Sequence, residues 1–180
     1  MSSGRLGQWP KMAESGGMES GWRPEHEFAP LGSEDASVDP KGRLKLPTKY
    51  LEYLKRFSDD RVFVTTLNPN TRVTVVYPIS EWRALQNFFA HQASVRSAET
   101  RDVLFVADHY GTAMSVDKEG RVLIPQRLRD EFGLASTRVW MSFDRGRFNV
   151  WTDEAYQKGL AGALGRIDAS LAALEATGRL

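Results

Sequence analysis

Two short stretches place aliphatic residues two apart in strand fashion. In Arg43-Leu44-Lys45-Leu46 the aliphatic residues lie two apart on one face, and in Arg121-Val122-Leu123-Ile124 Val122 and Ile124 do the same. Arg43 and Lys45 then share the opposite face. Each run stops at a proline, Pro47 or Pro125, which suits the first position of a helix. Helices are expected over about Thr48 to Phe57 and over Gln126 to Phe132, the latter ended by Gly133. Further strands are expected at 61–66 and 72–77, cornering at Asn68-Pro69-Asn70, and at 138–143 and 147–151, cornering at Asp144-Arg145-Gly146. Ser80 offers a cap to a helix through about 81–92, where Ile79, Trp82, Leu85, Phe88 and Phe89 recur at helical spacing. Thr152 caps a helical region from Asp153. Between these halves, 97–106 reads as a helix and 107–116 as a strand, while Ile167, Leu171 and Leu174 mark a tail helix that frays or packs on a neighbour.

The same order of elements occurs twice because the sequence does. Val38-Asp39-Pro40-Lys41-Gly42-Arg43-Leu44-Lys45-Leu46-Pro47 returns as Val116-Asp117-Lys118-Glu119-Gly120-Arg121-Val122-Leu123-Ile124-Pro125, displaced by 78 positions, with five of the ten residues identical. Two copies of one small unit of strand, turn, strand and short helix are expected. Asp39 and Gly42, like Asp117 and Gly120, are turn-forming residues. The Asp side chain bonds its own turn backbone, and Gly takes a left-handed exit from a type I turn. The expected organisation is a flexible Gly- and Ser-rich extension at 1–35, modules at 36–95 and 96–156, and a helical tail at 157–180. Trp9, Trp22 and Phe28 in the extension favour a docking role only faintly.

Bulk properties narrow the classes. The 180 residues are 41% hydrophobic, enough for one core or two small ones built together. Cysteine is absent, which excludes disulfides and thiolate metal sites and agrees with a cytoplasmic location. No stretch is long and apolar enough to span a membrane, and the start does not resemble a signal peptide. The net charge of +1 divides into −3 over the first 37 residues and +4 over the rest, so any nucleic-acid footprint must be local. Zinc-ligand spacing, a phosphate-binding glycine loop and a nucleophile elbow are all missing, and His26, His91 and His109 are scattered. His109, beside Asp108 on an expected strand, reads as a surface histidine. Neither catalysis, nor a metal, nor another cofactor, nor a small-molecule substrate is expected.

The doubled Asp-x-x-Gly-Arg turn, each followed by aliphatic residues and Pro, resembles the MraZ family of bacterial regulators of the division and cell wall gene cluster over roughly 36–154. That resemblance implies an α+β fold with a mostly β core, a double swapped-hairpin barrel of AbrB type with short flanking helices. It also implies assembly into rings and binding of repeated boxes in the promoter of the chain's own operon, usually as a repressor at the nucleoid. Arg43 and Arg121 fall on the family's two motif arginines, and Lys41 on a common lysine, which Glu119 replaces in the second copy.

A two-stranded ribbon fits the major groove of double-stranded DNA, and Arg can bond a guanine edge with two parallel hydrogen bonds. Arg43 is accordingly the first candidate for base contact, and Arg121 the second, weakened by Glu119 and by Leu123 where the first copy has Lys45. Lys41 and Lys45 suit phosphate, and Lys118 completes the DNA-binding set. The other role open to each arginine is to brace its turn by pairing with Asp39 or Asp117, worth at most ~1 kcal/mol. Lys49, Arg127 and Arg129, on the short helices, read as solvated or subunit-bridging charges. Trp82, Phe88, Phe89, Trp140, Phe148 and Trp151 read as core or subunit interface rather than a base-stacking platform. The rival classes are an antitoxin-like interaction module and a purely structural ring.

Overall fold

A computed structural model describes residues 27–57, 60–91 and 98–178. Trp9, Trp22, His26, the first 26 residues of the expected extension and the expected module boundary at 95 and 96 lie outside the described residues. The strands are β1 (Glu34–Val38), β2 (Arg43–Lys45), β3 (Arg61–Thr65), β4 (Val73–Pro78), β5 (Thr112–Ser115), β6 (Arg121–Leu123), β7 (Thr137–Asp144) and β8 (Arg147–Thr152). The helices are α1 (Thr48–Leu54), α2 (Ile79–His91), α3 (Ala98–Tyr110), α4 (Gln126–Phe132), α5 (Asp153–Leu164) and α6 (Ile167–Glu175).

The eight strands form one antiparallel sheet in the order β5-β3-β4-β8-β7-β1-β2-β6, an α+β architecture. The edge strands β5 and β6 are consecutive in the chain and joined by the turn at 117–120, so the sheet comes close to closing into a barrel. The alternation of β2 and β6 decides what lies inside. Leu44, Leu46, Val122 and Ile124 are fully buried, with Leu44 directly opposite Val122 in the antiparallel β2–β6 register. Tyr50 and Tyr53 of α1 join this core, meeting Phe148 edge-on at 4.9 and 5.7 Å, and Leu128 and Phe132 bring α4 to it. A second cluster joins Phe63, Val73, Val75 and Tyr77 of β3 and β4 to Trp82 of α2 and Ala107 of α3.

Several expectations change at their boundaries. The helix expected at 97–106 runs on to Tyr110, so the strand expected from 107 begins only at Thr112. The cause is tertiary: Ala107 is completely buried, and its carbonyl accepts a 2.5 Å hydrogen bond from Thr65 Oγ1. Gly111 follows where an added Cβ would stand 2.2 Å from Phe63 Cζ. His109 therefore sits on a helix, and strand alternation does not govern its direction. Ser80 is no cap, because α2 starts at Ile79 straight out of β4. α1 ends at Leu54, short of Phe57, and Pro47 and Pro125 stand at the N-caps rather than inside the helices. Gly133 closes α4 with φ +67°, and the Thr152 hydroxyl caps α5 by accepting from the Ala155 N–H, as their chemistry predicts.

Candidate nucleic-acid interface

The two repeated turns fold by one set of bonds. In the first, the Gly42 N–H donates to the Asp39 carbonyl at 2.9 Å and the Asp39 N–H to the Arg43 carbonyl at 3.0 Å; in the second, Gly120 and Asp117 do the same at 2.9 Å each. Asp39 Oδ1 accepts from the N–H groups of Lys41 and Arg43 at 2.9 and 3.0 Å, and Asp117 Oδ1 from those of Glu119 and Arg121 at 3.0 and 2.8 Å. Gly42 and Gly120 stand at φ +79° and +73°, the left-handed exit that glycine takes without penalty. The turns flank the short β2–β6 ladder, and the exchange across it is reciprocal: Leu46 N–H donates to Gly120 O at 3.0 Å, and Ile124 N–H to Gly42 O at 2.9 Å.

Each motif arginine does brace its turn. Arg43 donates from Nε at 2.7 Å and lies 2.6 Å away through Nη2, both to Asp39 Oδ2. Arg121 Nε donates to Asp117 Oδ2 at 2.8 Å, but its Nη2 goes to Glu119 Oε2 at 2.9 Å, so two carboxylates hold it. Hydrogen bonding to the Arg43 backbone N–H, then to its guanidinium, holds the Asp39 carboxyl below its ordinary range. At Asp117 partial burial pushes upward and is outweighed by the Arg121 guanidinium and backbone N–H, so that carboxyl is also lowered. The hydrogen bond to Asp117 raises the Arg121 pKa.

The lysines take different places. Lys41 and Lys118 are exposed on the turns, and Lys45 Nζ, across the ladder from Arg121, donates to the Glu119 carbonyl. Lys49 is drawn away to Glu34 Oε2 at 2.9 Å and the Leu31 carbonyl at 3.0 Å. Arg127 Nη1 donates to the His109 carbonyl at 2.6 Å. Arg129, set aside on sequence grounds, lies on the first turn, donating from Nη1 to the Lys41 carbonyl at 3.3 Å. The repeat itself carried that signal, because the 78-residue offset aligns Arg129 with Leu51, a cation with an aliphatic residue.

Of the aromatics, Trp82 is core, stacked on Phe63 at 4.5 Å, and Phe148 is wholly buried. Trp140 stacks on Tyr156 at 4.6 Å, and Phe88 is exposed. Among the described residues no three His, Asp or Glu side chains are grouped to hold a metal ion, and no helix is long and apolar enough to cross a membrane.

A family model described as "MraZ protein, putative antitoxin-like" matches residues 111–178, the stretch that holds the second turn. The chain is 32% identical over 154 residues to the transcriptional regulator MraZ of Solidesulfovibrio magneticus, covering 82% of this chain and 95% of that one. The chain belongs to the MraZ family. The Marinomonas MraZ regulator is 31% identical over 126 residues, with 70% of this chain and 82% of that one covered, and the Pelobacter propionicus regulator 31% over 140 residues, with 71% and 83% covered. The MraZ family is one of transcriptional regulators and not of enzymes.

Proposed function

We propose that this chain is a sequence-specific DNA-binding regulator that represses its own division and cell wall gene cluster, occupying repeated promoter boxes as a ring-forming oligomer at the nucleoid. The observation that carries this reading is the pair of identically built turns, each projecting a basic group beside the β2–β6 ladder. The chain is then a double swapped-hairpin barrel, with modules at 36–95 and 96–156, an extension at 1–35 and a tail at 157–180. The strand partners support the exchange: β1 pairs with β7, and its counterpart β5 with β3.

Within this function Arg43 reads bases. Asp39 occupies Nε and Nη2 and leaves Nη1, so the side chain, about one-third exposed at 32%, is oriented before DNA arrives and loses less freedom on binding. Arg121 is the second reader, encumbered by Glu119. Lys41, Lys45 and Lys118 contact phosphate. Ring closure draws on the exposed apolar residues of α5 and α6, Leu160, Leu164, Ile167, Leu171 and Leu174, covered by a second copy. Several modest hairpins on one assembly gain strength by effective concentration.

The test is binding to DNA from upstream of the chain's own gene against scrambled DNA of equal length, for the wild type, Arg43→Ala and Arg121→Ala. Both substitutions remove a turn brace, so a larger loss of preference with Arg43→Ala than with Arg121→Ala, at equal melting temperatures of the two variants, assigns the loss to contact rather than to folding. Equal binding of both fragments by the wild type, or none, sinks the proposed function.

A further inference from the structure

Arg129 reaches the first turn from the other half of the chain. Its side chain fills the space above Gly42, where an added Cβ would stand 2.1 Å from Arg129 Cδ, 2.6 Å from Nε and 2.7 Å from Nη1. Nη1 donates to the Lys41 carbonyl and Nη2 to Gln126 Oε1, both neutral oxygens, and Nε is buried with no hydrogen-bond partner. Arg43, Arg121, Arg138 and Arg147, in contrast, each stand within 4 Å of a carboxylate. Lys41, Arg43 and Arg129 thus crowd three positive charges about one turn whose own carboxylate is Asp39.

The second turn shows that filling this space needs no charge. The place of Arg129 is taken there by Leu51, whose Cδ1 would be 2.6 Å from a Cβ on Gly120. An aliphatic side chain suffices for packing, and the guanidinium at the first turn is additional. Held on one side by a backbone carbonyl and on the other by an amide oxygen, it is positioned as a fixed cation beside Lys41, and an anion at the turn relieves the mutual repulsion of the three groups.

We propose that Arg129 is a DNA phosphate contact of the first hairpin, supplied by α4 to the turn that carries Arg43. This rests on the DNA-binding function proposed above. A phosphate contact strengthens binding to any sequence and steepens its salt dependence, whereas a base contact sets preference.

The experiment is a salt series on the native upstream fragment and on scrambled DNA, using full-length wild type, Arg129→Met, Arg129→Gln and Arg129→Lys, with melting curves in parallel. Met keeps a hydrocarbon stem over Gly42, Gln is a second neutral replacement, and the slope is read on whichever keeps the wild-type melting temperature. The expected result is equal weakening on both fragments, retained preference, and a salt slope shallower by roughly 0.9 for each chain engaged, restored by Arg129→Lys. A neutral variant with unchanged slope and affinity, in a wild type that selects its own fragment, overturns the role of Arg129 and leaves DNA binding standing. A loss of preference in place of uniform weakening overturns the phosphate assignment. Failure of the wild type to bind DNA overturns both proposals.

Discussion

At the first turn Asp39 holds Arg43 alone and Arg129 lies overhead; at the second, Arg121 is shared between Asp117 and Glu119, and Leu51 lies overhead. The backbone bonds of the two are the same within 0.2 Å. A duplicated turn is thus kept by the few residues that its backbone needs, Asp and Gly above all, while the side chains over and beside it are free to diverge. One tip has become a cationic cluster. The other borders a hollow of about 350 Å³ lined by Leu51, Leu54, Phe57 and Val116 together with Lys118 and Glu119. Shared scaffold and unequal surface together predict unequal contributions to DNA binding.

The largest effect is expected where the two halves depend on each other equally. Leu44 and Val122 face one another in the β2–β6 ladder and are both fully buried. Leu44→Ala is expected to cost about 2–5 kcal/mol, and Val122→Ala less because it removes fewer carbons. Urea unfolding measures both. A loss below about 1 kcal/mol for Leu44→Ala, under the usual range for such a truncation, would mean that the hairpins hold together without this packing.

Next come the turn glycines. Gly42→Ala and Gly120→Ala each place a side chain at positive φ, at about 1–3 kcal/mol, and each drives a Cβ into its cover. The stability losses should be similar, but only Gly42→Ala also displaces a cation, so its salt slope should fall with that of the neutral Arg129 variants. Matching slopes for the two glycine variants would erase the distinction between the tips.

Glu119→Lys tests whether the second tip can be made like the first. It removes one carboxylate from Arg121 and reverses a charge, and is expected to steepen the salt slope by roughly 0.9 for every further phosphate that the hairpin neutralises. An unchanged slope would place the second hairpin off the DNA.

The smallest effect is a response to acid. Both turn aspartates lie below the ordinary value of 3.8. Their contribution is therefore complete above that value and disappears as the pH falls through their lowered values, because the protonated side chain no longer accepts from two N–H groups and an arginine. The amide resonances of Lys41 and Glu119 should move together below pH 3.8, and Asp39→Asn should abolish the movement of Lys41 alone.

Much of this was legible along the chain. Leu44, Leu46, Val122 and Ile124 announced an inward face by alternation, and all four are buried. The turns at 39–42 and 117–120, the helix stop at Gly133 and the cap at Thr152 followed from residue chemistry that acts within four positions. The end of the helix at 98–110 was not legible, because Ala107 and Gly111 are placed by Thr65 and Phe63, 42 and 48 residues earlier.

By itself, then, the sequence determined the repeated ten-residue motif and, since each depends on neighbours in the chain, the two turns, the aliphatic faces and the basic residues beside them. The tertiary structure alone decided that Arg129 and not Leu51 covers the turn bearing Arg43, and that Lys49 turns away to Glu34. Lys49 and Glu34 are fifteen positions apart, beyond the reach of turn or helix rules. The covers over the two turns depend on how the halves cross at the β2–β6 ladder, where α4 brings Arg129 over Gly42 and α1 brings Leu51 over Gly120.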